Sequence, residues 1–203
     1  MTSPALTSDF VIVRHGNTFA PGEPPRRIGA RTDLPLTAAG LAQADALGQH
    51  FAMRGMRFAR VLASPLARTR ETAHAILARL PGAPSPEAAD WLREIDHGPD
   101  EGMPEDTVQA RIGAAALAAW DERAVPPPDW TVDAATRTAA WHDLFARDAG
   151  PTLLVTSNGA ARFALVAAGL EVSGGMKLAT GSYGVISKGP DGALNVVEWG
   201  TKP

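Results

Sequence analysis

The sequence predicts an α/β domain built around a mainly parallel central sheet. A short apolar run rich in β-branched residues occurs at residues 10–13, and such a run is typical of a strand buried on both faces. Further strands are predicted at residues 60–63 and 152–156. Segments with apolar residues at helical spacing follow these strands, so strands and helices alternate along the chain. A length of 203 residues is sufficient for one domain.

The first half of the chain supplies two of these strands and two helices. Phe10–Val13 is the first predicted strand, and a loop rich in proline and arginine follows from Pro21 to Pro35. Thr37 is predicted to be the N-cap of the first helix, because a threonine hydroxyl can accept a hydrogen bond from a free N–H of the first turn. A second strand, Arg60–Ala63, precedes a helix that ends at Pro81.

The middle of the chain is predicted to be mainly helical. Trp91-Leu92 is predicted to be a third, short strand, and Asp96–Pro104 a loop. One helix carries apolar residues from Val108 to Trp120, and a run of three prolines ends it. A further helix spans Asp133 to Arg147.

The last part of the chain returns to the sheet. Thr152–Thr156 is a buried strand, and an alanine-rich helix follows it and ends near Gly169. Gly184–Ser187 and Leu194–Trp199 predict a hairpin around a turn at 189–192. The hairpin provides an edge strand at which two copies of the chain can pair, so a homodimer is one expectation.

Composition and charge exclude several classes of function. The 19 basic and 22 acidic residues give a net charge of −3, which argues against a broad basic face for nucleic acid. No apolar run approaches the roughly 18 residues of a membrane span, and residues 1–6 lack the basic start and apolar centre of a signal peptide. The chain has no cysteine, which excludes thiolate metal sites and a cysteine nucleophile. We therefore expect a cytoplasmic protein whose partners include neither nucleic acid nor a membrane.

Polar residues follow three of the predicted strands. Arg14-His15-Gly16 follows the first strand, Ser64-Pro65 leads from the second to Arg68, and Ser157-Asn158-Gly159 follows the late strand. Ligands of open α/β sheets bind at the carboxyl ends of the strands, so these turns are expected to converge. A neutral imidazole can act as a nucleophile or a base, and guanidinium groups match phosphate oxygens. The pattern predicts phosphoryl chemistry.

Four motifs extend this pattern, in order along the chain. They are Arg14-His15-Gly16-Asn17-Thr18, Thr32-Asp33-Leu34-Pro35-Leu36-Thr37, Ser64-Pro65-Leu66-Ala67-Arg68-Thr69 and Leu92-Arg93-Glu94-Ile95-Asp96. Together they resemble the histidine phosphatase superfamily, the phosphoglycerate-mutase-like enzymes. The resemblance covers residues 10–102 and returns at 152–169. It implies a three-layer α/β/α fold, a single domain over residues 1–203 and a helical insert, or lid, at about 103–150.

The resemblance also implies a role for each site residue. His15 would be the nucleophile that accepts the phosphoryl group, with its other ring nitrogen held by a backbone carbonyl. Glu94 would protonate the leaving oxygen and then deprotonate the attacking water, while Arg14 and Arg68 would bind the phosphoryl group. A two-step route through phosphohistidine needs neither a metal nor a cofactor. In agreement, the five histidines form no His-x-x-x-His pair.

Two positions depart from the family pattern. Asn158 stands where the family normally has a second histidine, and an asparagine can donate a hydrogen bond but cannot become cationic. We expect Asn158 to bind phosphate with a loss of about 1–3 kcal/mol relative to histidine. Pro21 stands where an asparagine is common, and Asn17 is expected to compensate by reaching the phosphate. His97 is expected to lie at the rim of the pocket, where an aromatic residue is common.

Three functions remain open at this point. The favoured one is a phosphomonoesterase that acts on a small phosphorylated metabolite. A mutase is the first alternative, although the segment 103–150 carries more acidic than basic residues, which argues against holding a phosphorylated acid. The second alternative is a phosphate-binding module whose catalysis is impaired by Asn158.

Overall fold

The computed structural model describes residues 9–147 and 150–203. The expectation about a signal peptide at residues 1–6 lies outside the described residues. The strands are β1 (Asp9–Arg14), β2 (Arg60–Ala63), β3 (Glu87–Ala88), β4 (Thr152–Thr156), β5 (Tyr183–Lys188) and β6 (Leu194–Thr201). The helices are α1 (Ala38–Met53), α2 (Ala67–Leu77), α3 (Glu105–Ile112), α4 (Ala114–Arg123), α5 (Ala134–Ala146) and α6 (Asn158–Ala168).

The strands form one sheet in the order β3-β2-β4-β1-β5-β6. The four strands from β3 to β1 are parallel to their neighbours, whereas β5 runs antiparallel to both β1 and β6. Arg14 at the end of β1 is paired with Thr156 of β4, and Ala63 at the end of β2 is paired with Val155. The carboxyl ends of three adjacent strands therefore lie side by side, as predicted.

Alternate residues of the strands point to two separate hydrophobic clusters. Phe10 of β1 packs on one face with residues of α5 and α6, and its ring meets that of Phe145 edge to face at 4.9 Å. Val11, the next residue, packs on the other face with Leu47 of α1 and Ile76 of α2. The sheet is thus covered on both sides, which confirms the three-layer α/β/α fold. It also explains why the strands are apolar without interruption.

Several predicted elements are confirmed in position. The strands Arg60–Ala63 and Thr152–Thr156 have the predicted limits, and the terminal hairpin is formed by β5 and β6. The hydroxyl of Thr37 accepts a hydrogen bond from the N–H of Gly40 at 3.1 Å, so Thr37 is the N-cap of α1.

Two predictions were wrong. Trp91-Leu92 is not a strand but belongs to a 3₁₀ turn over Asp90–Leu92, and the short strand beside β2 is Glu87–Ala88. The helix predicted from Val108 to Trp120 is two helices, because Gly113 has a φ of 84° and a ψ of 150° between α3 and α4. That conformation is almost restricted to glycine, so it ends one helix and starts another.

The segment at 103–150 contains α3, α4 and α5, with residues 148–149 outside the described part. Its last helix, α5, packs against α6 beneath the sheet, while Trp120 of α4 reaches the cavity described below. The strand β6 forms one edge of the sheet. This is the edge strand on which the expectation of a homodimer is based. Within the described residues, no helix combines the length and the apolar surface that crossing a membrane requires.

Candidate active site

A cavity of about 470 Å³ opens at the carboxyl ends of β1 and β4. Metabolite-sized ligands occupy cavities of this order of size. Of the six residues predicted for the site, five line the cavity and Arg68 lies outside the lining. The five are Arg14, His15, Asn17, Glu94 and Asn158. The lining also includes residues of the loop after β1, of α4 and of the segment after α6.

His15 is held with one ring nitrogen engaged and the other free. Its Nδ1 lies 2.7 Å from the carbonyl oxygen of Gly16. Because a carbonyl can only accept, Nδ1 carries the proton and Nε2 carries the lone pair. Burial lowers the pKa of His15 well below its ordinary value, and the charges of Arg14 and Arg68 lower it further. The ring is therefore neutral at physiological pH, and its Nε2 is able to attack an electrophile.

The two arginines are fixed by backbone carbonyl groups. Arg14 donates through one terminal nitrogen to the carbonyl of Leu178 at 2.5 Å, and fully buried Arg68 donates to the carbonyls of Thr32 at 2.6 Å and Gly29 at 3.1 Å. The Nε of each arginine is buried and has no hydrogen-bond partner among residues 9–147 and 150–203. Burial lowers the pKa of both groups, and the negative charge of Glu94 opposes this. Two such cations next to a neutral imidazole favour an anionic ligand.

Glu94 is a buried carboxylate held by backbone N–H groups. Its Oε1 accepts from the N–H of Ile95 at 3.0 Å, and its Oε2 accepts from the N–H of Gly159 at 3.1 Å. A Cβ at position 159 would lie 2.2 Å from Oε1, so only glycine permits this approach. Burial raises the pKa of Glu94, but His97 when protonated, the two N–H groups and Arg68 outweigh it and bring the pKa below its usual value. The carboxyl group is ionised in the free protein.

Asn158, the first residue of α6, has its side-chain amide oriented by the segment that follows this helix. Its Oδ1 accepts a hydrogen bond from the N–H of Leu178 at 2.9 Å. Since the oxygen is engaged, the Nδ2 group is the end available to a ligand in the cavity. The residue therefore offers a neutral donor group that carries no positive charge.

Asn17 is bound mainly to its own loop. Its Nδ2 donates to the carbonyl of Phe19 at 2.8 Å, and its Oδ1 accepts from the N–H of Thr18 at 3.1 Å. One amide hydrogen remains for a ligand. Its backbone carbonyl accepts from Thr37, which ties the loop to the start of α1.

Sequence reasoning did not predict the burial of His97 or the presence of Lys177 in the cavity wall. His97, expected at the rim, is 5% exposed, and its ring meets Trp130 edge to face at 4.6 Å. Burial lowers its pKa, against the opposing charge of Glu94. The sequence feature that could have indicated His97 is its position three residues after Glu94. Lys177 also lines the cavity, and no sequence motif indicated it. The part of the chain that the structure describes has no cluster of three or more side chains suited to a metal ion.

Comparison with known proteins identifies the family of this chain. A family model described as the histidine phosphatase superfamily (branch 1) matches residues 10–199. Among curated proteins, the chain is similar to the 2,3-bisphosphoglycerate-dependent phosphoglycerate mutase 1 of Latilactobacillus sakei, with 31% identity over 123 residues that cover 59% of this chain and 52% of that protein. A mutase of the same description from Methylobacterium sp. is 37% identical over 98 residues, 47% of either chain. The chain spans about half the length of these curated relatives.

Solved structures show the same fold over almost the whole chain. The mycobacterial glucosyl-3-phosphoglycerate phosphatase superposes with a TM-score of 0.76 at 23% identity, covering 96% of this chain and 99% of that one. A protein from Thermus thermophilus is 30% identical, with a TM-score of 0.65 and coverage of 88% and 92%. The first of these similarities supports the fold alone.

Proposed function

The chain belongs to the histidine phosphatase superfamily, and on this premise we propose that it is a phosphomonoesterase acting through a phosphohistidine at His15. The observation that carries the proposal is the state of His15. Its Nδ1 is bound to a carbonyl, its Nε2 is free, and its neutral ring lies in a cavity with arginine beside it. The substrate is a small phosphate ester, in keeping with the size of the cavity.

In the first step Nε2 of His15 attacks phosphorus and the bond to the ester oxygen breaks. Arg14 and the Nδ2 group of Asn158 hold the phosphoryl oxygens, and the buried charge of Arg68, which lies outside the cavity lining, adds to the attraction for the transferring group. The bound phosphoryl group places negative charge near Glu94 and raises its pKa, so this carboxyl takes up a proton on binding and gives it to the leaving oxygen.

In the second step a water molecule attacks the phosphohistidine. Glu94, now ionised again, accepts a proton from the water, and the bond between phosphorus and Nε2 breaks to release phosphate and neutral His15. Nδ1 keeps its proton throughout and donates it in a hydrogen bond to the carbonyl of Gly16, which keeps the ring in one tautomer. Neither step uses a metal ion.

Phosphatase chemistry is preferred over mutase chemistry because the insert offers few free cations. Arg111 is paired with Asp100 and Asp129, and Arg137 donates to backbone carbonyls. None of the four arginines of the segment 103–150 lines the cavity. A mutase has to hold a second anionic group while the phosphoryl group is returned, and this segment supplies no arginine for it.

Hydrolysis of p-nitrophenyl phosphate in the presence of EDTA tests the proposal. We expect turnover by the wild type and a loss of at least about 10³-fold in His15→Ala, since the nucleophile is removed. The exposed His74→Ala is the matched control and should retain activity. A ³²P-labelled phosphate ester should label the wild-type protein in an acid-labile form. His15→Ala should not be labelled. Turnover that persists in His15→Ala contradicts the route, and activity that requires 2,3-bisphosphoglycerate favours the mutase.

A further inference from the structure

We propose that Lys177 supplies, next to the phosphoryl group, the positive charge that Asn158 cannot carry. The inference rests on the proposed function, because it concerns the same phosphoryl site. The neutral amide of Asn158 then provides the hydrogen bond and the ammonium group provides the charge, two tasks that a single imidazolium would combine.

The position of Lys177 is set by its neighbour, Leu178. The N–H of Leu178 donates to Oδ1 of Asn158 at 2.9 Å, and its carbonyl accepts from Arg14 at 2.5 Å. Both backbone groups of this fully buried residue are therefore bound to side chains of the proposed phosphoryl site. Consecutive Cα atoms are about 3.8 Å apart, so the backbone of Lys177 is held next to the site as well.

Among the described residues that line the cavity, Lys177 and Arg14 are the cations without a carboxylate partner, and Arg14 already belongs to the proposed phosphoryl site. Arg26 is paired with Glu23, and Arg27 with Glu105. Lys177 lines the same cavity, is exposed, and has neither an ion pair nor a side-chain hydrogen bond within residues 9–147 and 150–203. Its four-carbon stem is flexible, so the ammonium group can approach an anion bound at His15.

The charge matters because Asn158 offers only a neutral donor. A neutral hydrogen bond is about half as strong as a charge-assisted one. A nearby ammonium group adds Coulomb attraction for a phosphate dianion, and since Lys177 is exposed, salt screens that attraction. A dependence of affinity on ionic strength is therefore part of the proposal.

Calorimetric binding of inorganic phosphate to the full chain is the test, because this ligand has no organic part. We expect Lys177→Gln to weaken binding roughly tenfold at low salt, and less at about 0.5 M salt. Lys177→Arg keeps the charge and should stay within about threefold of wild type. Lys202→Gln removes the same charge from the exposed C-terminal segment and should bind as wild type does.

The possible failures are distinguishable. If Lys177→Gln binds phosphate as tightly as wild type while His15→Ala abolishes turnover, the role of Lys177 is overturned and the proposed function stands. If Lys177→Gln impairs only esters with a second anionic group, Lys177 contacts the organic part of the substrate and the proposal is wrong. If wild type fails to bind phosphate at millimolar concentration while His15→Ala abolishes turnover, the inference is contradicted and the proposed function stands.

Discussion

His15 and Asn158 line the cavity, and each has one polar side-chain atom bound to the backbone and a second that is free of a hydrogen bond to the described residues. The carbonyl of Gly16 determines that Nε2 of His15 is the free nitrogen, and the N–H of Leu178 determines that Nδ2 of Asn158 is the free end of the amide. At the scale of the residue, the proposed chemistry therefore depends on backbone groups that orient these side chains. Replacing a side chain can disturb the backbone bond, the ligand contact or both.

The variant Asn158→Asp separates these two effects. An aspartate can still accept the hydrogen bond from Leu178, but it loses the Nδ2 donor and places a negative charge beside the phosphoryl group. Because like charges in contact cost several kcal/mol, we expect phosphate affinity and kcat/KM to fall by about 100-fold or more. Isothermal calorimetry and steady-state kinetics measure this.

Asn195→Asp is the matched control, since it adds the same charge to an exposed position of β6. It should leave phosphate affinity unchanged. Wild-type affinity in Asn158→Asp would show that the amide does not meet the phosphoryl group.

At the scale of the element, α6 connects the proposed phosphoryl site to the insert. The helix begins with Asn158 and carries buried Arg162 one turn later. The guanidinium of Arg162 lies 4.0 Å from the centre of the Trp120 ring, donates to the Trp120 carbonyl, and is 3.5 Å from Asp121. Trp120 and Asp121 line the cavity. Burial lowers the pKa of Arg162 to about 10, yet the group stays charged at neutral pH.

The break between α3 and α4 is a second feature at this scale. Gly113 combines a φ of 84° with a ψ of 150°, and no atom lies within 4 Å of the position that its Cβ would occupy. Gly113→Ala therefore meets no steric contact, only the cost of a backbone conformation that L-residues avoid. We expect a loss of about 1–3 kcal/mol in the free energy of unfolding, measured by denaturant titration.

Gly189→Ala is the control for Gly113→Ala, because position 189 has an ordinary φ and a new Cβ there meets mainly the flexible side chain of Asp191. It should change stability little. Unfolding of Gly113→Ala at the wild-type midpoint would indicate that α3 and α4 can merge into the single helix that the sequence predicts.

At the scale of the whole molecule, three parallel strands bring residues far apart in sequence to one edge. Two histidines near this edge, His15 and His97, are buried. Burial lowers the pKa of both, so both are neutral at neutral pH. Below the ordinary histidine pKa of about 6.5, the unfolded chain binds protons that the folded chain does not. Stability is therefore expected to fall as the pH falls below this value.

The titration of Glu94 also lowers the free energy of unfolding as the pH falls, but it does so at a lower pH than the histidines. Its pKa is lowered in the folded protein, so its contribution is present above the ordinary glutamate pKa and is lost as the pH falls through the folded value. The histidines can be tested without this effect by staying above about pH 5.

We expect the free energy of unfolding to decrease between about pH 6.5 and pH 5, with a slope of up to about 1.4 kcal/mol per pH unit for each of the two histidines. Urea titration of His15→Asn and His97→Gln measures this, and each variant should reduce the slope. The exposed His74→Gln should retain the wild-type slope. A double variant, His15→Asn with His97→Gln, that keeps the full slope would contradict the prediction.

The positions that sequence predicted well share a local cause. Short apolar runs that end at a polar turn indicated Arg60–Ala63 and Thr152–Thr156, and a single hydroxyl indicated the start of α1 at Thr37. The errors arose where the local signal was weak. Trp91-Leu92 is apolar but too short to distinguish a strand from a 3₁₀ turn, and a helical pattern continued across Gly113 because one glycine does not interrupt the spacing.

The alternation of strands and helices, the family motifs and the polar turns that contain His15 and Asn158 could all be recognised in the amino-acid sequence. The orientation of those side chains became known only from their contacts in the folded protein. The free end of the Asn158 amide depends on Leu178, twenty residues later, and the buried guanidinium of Arg68 depends on carbonyls of the loop after β1. Periodicity and caps are set by near neighbours in the chain, whereas orientation, burial and pKa are set by partners that only folding brings into contact.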